Sequence, residues 1–152
     1  MIIRALRTTD LPAVLQLEQA AMIDPWNEGQ LAAELEAVNG VSLVAEQDGR
    51  VCGYAFFRTC TPESELLRLA VAPEWRRQGV GKELLEQALR SFAGQGYATC
   101  FLEVRASNAE ARRLYAKAGF VQVGVRKKYY QQPVEDALQL CRNLIDFRGG
   151  NS

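Results

Sequence analysis

Apolar positions along the chain change their spacing repeatedly, and each change marks an element. Residues 2–7 alternate like a half-buried strand; Thr9 and Asp10 then supply helix-starting side chains ahead of Leu11, Val14, Leu15 and Leu17, a helical stripe. Pro25-Trp26 interrupts that stripe, and residues 28–38 carry Leu31 and Leu35 at helical spacing until Asn39-Gly40 stops them. Two β-rich runs, 41–46 and 50–61, flank Gln47-Asp48-Gly49, and Asp-Gly between such runs predicts a hairpin. Residues 66–71 read as another strand, ended by Pro73.

The second half alternates strand and helix. Residues 81–93 put Leu84, Leu85, Ala88, Leu89 and Phe92 on one face, with Gly94 and Gly96 placed to end the helix. A strand at 98–105 and a helix at 107–118 follow, the helix stopped by Gly119. Residues 121–125 and 137–144 pattern as a final antiparallel pair. The order predicts an α/β (α+β) chain, a mixed sheet with helices packed on its faces.

Composition narrows the chemistry more than the fold. At 152 residues, 48% apolar and 24% charged, the chain matches one ordinary folded domain. Residues 1–147 are expected to form that domain and residues 148–152 a tail. Neither a membrane span nor a cleavable leader is legible, so the expected location is the cytoplasm. Lys plus Arg and Asp plus Glu balance at 18 each, leaving no overall positive field for nucleic acid or membrane. Cys52, Cys60, Cys100 and Cys141 show no C-x-x-C pairing, and histidine is absent. Ser-His and Cys-His nucleophiles and His-ligated metals are therefore excluded, and any general base is Asp, Glu, Tyr, Lys, Cys or a water.

Arg76-Arg77-Gln78-Gly79-Val80-Gly81-Lys82 lies between a strand and an amphipathic helix. Glycines there leave backbone amides bare at a helix N-terminus, where the dipole favours a phosphate or pyrophosphate; a plain turn with solvated arginines is the other reading. A dinucleotide fingerprint needs Gly where Leu84 stands, and a Walker loop needs Gly at Arg76 and Ser or Thr at Glu83. In 98–105, Thr99, Phe101, Glu103 and Arg105 share one face, so Glu103 is either half of a surface pair with Arg105 or a general base for an incoming amine. Ser107 to Glu110 fits a capping box, and Asn108, Ala111 and Tyr115 share a helix face. Tyr115 by itself is a core-edge aromatic or a functional phenol. Cys100 and Cys141 have no activating neighbour in the sequence and are read as structural.

The Arg76-x-x-Gly79-x-Gly81 run resembles the acetyl-coenzyme-A signature of the GNAT N-acetyltransferases. Leu102 to Asn108, then Ala111, Leu114-Tyr115 and Gly119-Phe120, resemble their RimI branch, which acetylates the N-terminal alanine of a small-subunit ribosomal protein. Pro25-Trp26-x-Glu28, Arg126-x-x-Tyr129-Tyr130 and Glu135-Asp136-Ala137 are similar to that branch as well. The stretch between Tyr130 and Glu135 is shorter than in its best-known enzymes.

This resemblance implies a mixed, mostly antiparallel sheet with helices on both faces, and acetyl-CoA as donor with no metal. Donor contacts would come from Leu69, Ala70, Val71, Arg76, Arg77, Gln78, Gly79, Val80, Gly81, Lys82 and Asn108. Glu103 would act as base and Tyr115 as the acid that protonates the departing thiolate. Tyr129 and Tyr130 would border the acceptor, the N-terminal segment of a ribosomal protein; the basic-aromatic run 126–130 has a nucleic-acid reading too, which the zero net charge disfavours. Trp26 is either a groove wall or a hydrophobic plug. An α-amine titrates near ~7.7–8.0 and a lysine near ~10.4, so an N-terminal acceptor needs less help from a carboxylate.

Overall fold

The computed structural model describes residues 1–149. Seven strands form one sheet: β1 (Ile2–Ala5), β2 (Gly40–Gln47), β3 (Arg50–Cys60), β4 (Glu63–Val71), β5 (Thr99–Arg105), β6 (Val121–Gln131) and β7 (Val134–Asn143). Their order is β1-β2-β3-β4-β5-β7-β6, and only the β4–β5 pair is parallel. The mixed, mostly antiparallel sheet is thus present. Helices are α1 (Leu11–Ala21), α2 (Glu28–Glu36), α3 (Val80–Gly94), α4 (Ala109–Lys117) and α5 (Ile145–Gly149). Residues 148 and 149 of the expected tail therefore fall in α5, and residues 150–152 lie outside the described residues.

Local chemistry explains the main boundaries. Asp48 and Gly49 both take positive φ, 53° and 77°, the left-handed pair that a two-residue hairpin turn between β2 and β3 requires. Asn27 caps α2 by accepting from the Gln30 amide at 2.8 Å, while the Gln30 side chain accepts from the Asn27 amide at 2.9 Å. The cap of α4 differs from expectation: Ser107 donates from both Oγ and N–H to Glu135, so Asn108 takes the cap and accepts from the Ala111 amide at 3.1 Å. Gly119 ends α4 at φ +92°, where a Cβ would stand 2.6 Å from Arg142 Nε.

Strand β3 is covered on both sides, with Cys52 through Phe57 all buried. Tyr54 and Phe56 join Val14 and Leu31 in a cluster under α1 and α2; Ala55 and Phe57 join Leu85, Leu89 and Phe92 in a cluster under α3 that continues to Tyr115 and Phe120. In β5, Cys100, Leu102 and Val104 belong to the α3-side cluster, while Thr99, Phe101, Glu103 and Arg105 are only partly buried. On that second face, α1 and α2 stop short of β5, and a groove is left.

Two irregularities in β4 shape the groove. Its parallel pairing with β5 covers only Glu63 to Glu65 against Thr99 to Phe101. Beyond Glu65 the strands part. Its register against β3 also slips between Phe56 and Phe57, which leaves Leu67 as a bulge. Leu66 to Val71 therefore keep β3 on one side and present a free backbone edge toward β5 on the other.

Candidate active site

A groove of about 450 Å³ opens at the mouth of the splay. Its lining includes Arg58, Glu65, Phe101, Glu103, Arg126 and Gln139. Glu103 faces it because odd-numbered positions of β5 point away from α3. Arg105 is not its partner: Arg126 Nε stands 2.7 Å from Glu103 Oε2, and Arg105 pairs with Glu135 at 3.1 Å. Of the two readings for Glu103, the surface pair with Arg105 is thereby replaced by a pair reaching across β7. Ser107, first, and Arg105 hold the Glu135 carboxyl below the usual range.

Glu65 is a groove residue that no sequence signal singled out. It follows directly from the parallel register, since its partner Phe101 lies two residues before Glu103 on the same face. Arg58 is already held by Glu34 through two hydrogen bonds of 2.8 and 2.9 Å, and Arg126 is held by Glu103. Burial, then the charge of Glu103, pushes the Glu65 carboxyl up.

Tyr115 lies in the cluster on the other side of β5, 8% exposed, its ring 5.9 Å from that of Phe120. Burial pushes its phenol above the ordinary value, with Tyr130 and Cys100 adding smaller effects. Glu103 and Tyr115 thus lie on opposite faces of β5. Tyr130 stacks under Arg105, 4.1 Å from the guanidinium to the ring centroid, and meets Tyr129 edge-on at 5.2 Å. Burial, then Glu103, raises the Tyr130 phenol. Tyr129 is 49% exposed under Arg126. The β6–β7 connection is only Gln132-Pro133, so both tyrosines sit on a hairpin arm rather than a long loop.

At the other end of the splay lies the loop before α3. Gly79 holds φ +82° with open space where a Cβ would be, and α3 runs 15 residues from Val80 with no side chain capping its first amides. Gly81 lets Leu114 of α4 approach, since a Cβ would stand 3.2 Å from Leu114 Cδ2. Arg77, also at positive φ (62°), and Gln78 and Lys82 are exposed around it, while Arg76 Nε donates to the Val71 carbonyl at 3.2 Å. Leu69, Ala70 and Val71 lie on the free edge of β4. Asn108 spends its Oδ1 on the α4 cap and keeps its amide donors free of that bond.

Trp26 does not line the 450 Å³ groove. It sits farther along β3 and β4, its ring 6.0 Å from Phe56 and 4.6 Å from the Arg68 guanidinium. Among the described residues there is no group of three or more His, Cys, Asp or Glu able to hold a metal, and no helix is long and apolar enough to cross a membrane.

The parted parallel pair thus lies beside a bare helix N-terminus. Residues 11–120 match the model of the acetyltransferase (GNAT) family. The chain belongs to the GNAT acetyltransferases. It is 38% identical over 128 residues to the ribosomal protein bS18-alanine N-acetyltransferase of Escherichia coli (strain K12), covering 84% of this chain and 86% of that protein. Identity to the Salmonella typhimurium enzyme of the same description is 38%, over 90% of this chain and 93% of that one. The crystal structure of the E. coli ribosomal-protein-S18-alanine N-acetyltransferase superimposes with a TM-score of 0.88 at 36% identity, covering 94% and 93% of the two chains. This GNAT chain is therefore an acyltransferase of the RimI type, from a family that uses acetyl-CoA. The residues present fit such a donor: the free β4 edge offers hydrogen-bonding groups to an extended amide-bearing arm, and the Gly79 turn offers amides to a pyrophosphate.

Proposed function

We propose that this protein transfers acetyl from acetyl-CoA to the α-amine of an N-terminal alanine on the small-subunit ribosomal protein bS18, acting in the cytoplasm. The observation that carries this reading is the placement of Glu103 in an open groove at the mouth of the β4–β5 splay, in a chain similar over most of its length to enzymes described by that reaction.

In this reading the pantetheine arm lies along the free edge of Leu66 to Val71, contacted by Leu69, Ala70 and Val71, with Asn108 beside it. The pyrophosphate rests on the amides from Arg77 to Lys82, with Arg76 at its rim. Glu103, directly or through a water, removes a proton from the acceptor ammonium as Arg126 yields its hold. The amine nitrogen then bonds to the thioester carbonyl carbon, whose oxygen takes hydrogen bonds from backbone N–H groups. As the C–S bond breaks, Tyr115 gives its phenolic proton to the departing thiolate, and the second proton shed by the new amide nitrogen returns to the phenolate through water; burial keeps Tyr115 protonated but makes it the weaker acid, so collapse of the tetrahedral intermediate, not a pKa match, drives the transfer. Tyr129 and Tyr130 border the acceptor on one side and the Pro25-Trp26 loop on the other. No acyl-enzyme is formed.

The test is intact-mass analysis of a peptide copying the N-terminus of the organism's own bS18, incubated with acetyl-CoA and the protein. A single acetyl group on the α-amine is the expected result. Preferred modification of N-terminally blocked, lysine-containing peptides would reject the alanine-terminal reading.

A further inference from the structure

The proposed chemistry leaves one buried ionic cluster unused. Glu18 of α1 has no exposed surface, yet its carboxylate accepts from Tyr54 Oη at 2.5 Å, from the Trp26 amide at 2.8 Å, and from Arg68 Nε at 3.1 Å and Nη2 at 2.5 Å. Arg68 Nη2 donates again, to the Asp24 carbonyl at 2.9 Å, and its plane underlies the Trp26 ring at 4.6 Å. An ion pair with a fully buried carboxylate and a mostly buried guanidinium is an inefficient source of stability, because apolar groups of the same shape hold a core as well. What a planar, multiply bonded guanidinium supplies is fixed geometry.

The two ends of this geometry matter. Arg68 directly follows the Leu67 bulge and directly precedes Leu69, so it belongs to the very segment of β4 whose free edge faces the splay. The bulge turns Leu67 and Arg68 together toward α1. At the far end, the contacts are Asp24 and Trp26, within the stretch between α1 and α2 that has no helix or strand hydrogen bonds of its own. One side chain thus ties the Pro25-Trp26 loop to the donor strand.

We propose that Glu18 and Arg68 are positioning residues for the acceptor: they hold the Pro25-Trp26 loop at a fixed distance from the acetyl-bearing edge of β4. Neither touches the reacting atoms. The proposal rests on the reading of that loop as one wall of the acceptor site.

The experiment compares the parent with Arg68→Lys, Arg68→Met and the double variant Glu18→Gln/Arg68→Met, using the bS18 N-terminal peptide. The double variant removes both charges, so it stays folded if an unpaired buried carboxylate harms Arg68→Met alone. In Arg68→Met and the double variant the peptide KM is expected to rise about tenfold, with kcat and acetyl-CoA affinity within about threefold of the parent, and Arg68→Lys is expected to recover only part of the loss. In 5-fluorotryptophan-labelled protein, the Trp26 resonance, assigned against Trp75 by Trp75→Phe, is expected to shift while that of Trp75 stays. A lower melting temperature with the parental peptide KM would overturn the proposal and leave a purely structural cluster. If the parent itself leaves the peptide unmodified, it is the acceptor reading that fails, and the positioning role falls with it.

Discussion

Arg126 reaches Glu103 across an intervening strand. The two residues belong to β6 and β5, with β7 between them, and their side chains meet 2.7 Å apart over the groove. In the proposed mechanism Glu103 has to be released by this guanidinium before it can take a proton. Because the Arg126 side chain is 54% exposed, that hold is weak and easily exchanged for an acceptor ammonium. Glu103→Gln is expected to lower kcat/KM about 10²-fold or more, whereas Arg126→Gln should change it by less than about threefold. Steady-state kinetics with the alanine peptide decides; equal losses would mean that the pair works as a unit.

Tyr115 separates chemistry from packing. Its hydroxyl makes none of the side-chain hydrogen bonds found among the described residues, while its ring fills the cluster with Phe120. Tyr115→Phe should therefore keep the melting temperature and the acetyl-CoA affinity, yet cost about 10²-fold or more in kcat. Parental turnover would remove Tyr115 from the mechanism.

Gly79 holds a left-handed backbone conformation that glycine adopts freely and a residue with a Cβ only at a cost. At φ +82° an alanine methyl would meet no neighbour, so the whole penalty is conformational, about 1 kcal/mol. Gly79→Ala is expected to weaken acetyl-CoA binding about fivefold, that same energy expressed as affinity. Calorimetric titration measures it, and unaltered affinity would argue against a pyrophosphate seat.

Glu65 contributes an unfavourable ionisation. Burial, then Glu103, lifts its carboxyl, offset in part by Arg58 and Arg126, so the folded chain holds that proton more tightly than the unfolded chain does. Stability from this group is complete at low pH and is lost as the pH rises through the raised value. Glu65→Gln should accordingly raise the melting temperature at about pH 7 and leave it unchanged at about pH 3, where the carboxyl is protonated in both states. Thermal melts at the two pH values read the effect directly.

Among the cysteines, Cys60 is exposed and lines the groove, whereas burial pushes the Cys100 thiol up to about 12. Burial raises Cys52 and Cys141 as well. A thiol reagent at about pH 8 should label Cys60 first and the other three only on unfolding. Peptide mapping of the fast adduct checks this, and rapid labelling of Cys100 would reopen a covalent mechanism.

Most of the frame was legible because it depends on local chemistry. The Asp48-Gly49 turn and the apolar face of α3 follow from residue type and spacing and stand where the pattern placed them, and α3 starts at Val80, one residue before the expected Gly81. What escaped depends on strand order. Spacing along β5 offers Glu103 only Arg105, its neighbour on the same strand face, as a charged partner, because nothing in the chain announces that β6 lies two strands away. Glu65 reaches the groove only through the β4–β5 register, which the sequence does not display. The bulge at Leu67 leaves no mark in a run as uniformly apolar as Leu66-Leu67, and the burial of Glu18 is invisible until Arg68, fifty residues later, arrives beside it. The α4 cap moved by one residue because Glu135, distant in sequence, claimed Ser107.

The short parallel seam between β4 and β5 divides the sheet into two antiparallel halves, one of four strands and one of three, stitched together by three residue pairs. Beyond that seam, the missing rungs of the ladder are the ones a donor's amide arm would supply. A bound donor would then serve as the mortar of the protein as well as its reagent, and the joint would be weakest when the site is empty. Resistance to unfolding and occupancy by the donor would be two measures of one joint, rising together with its concentration.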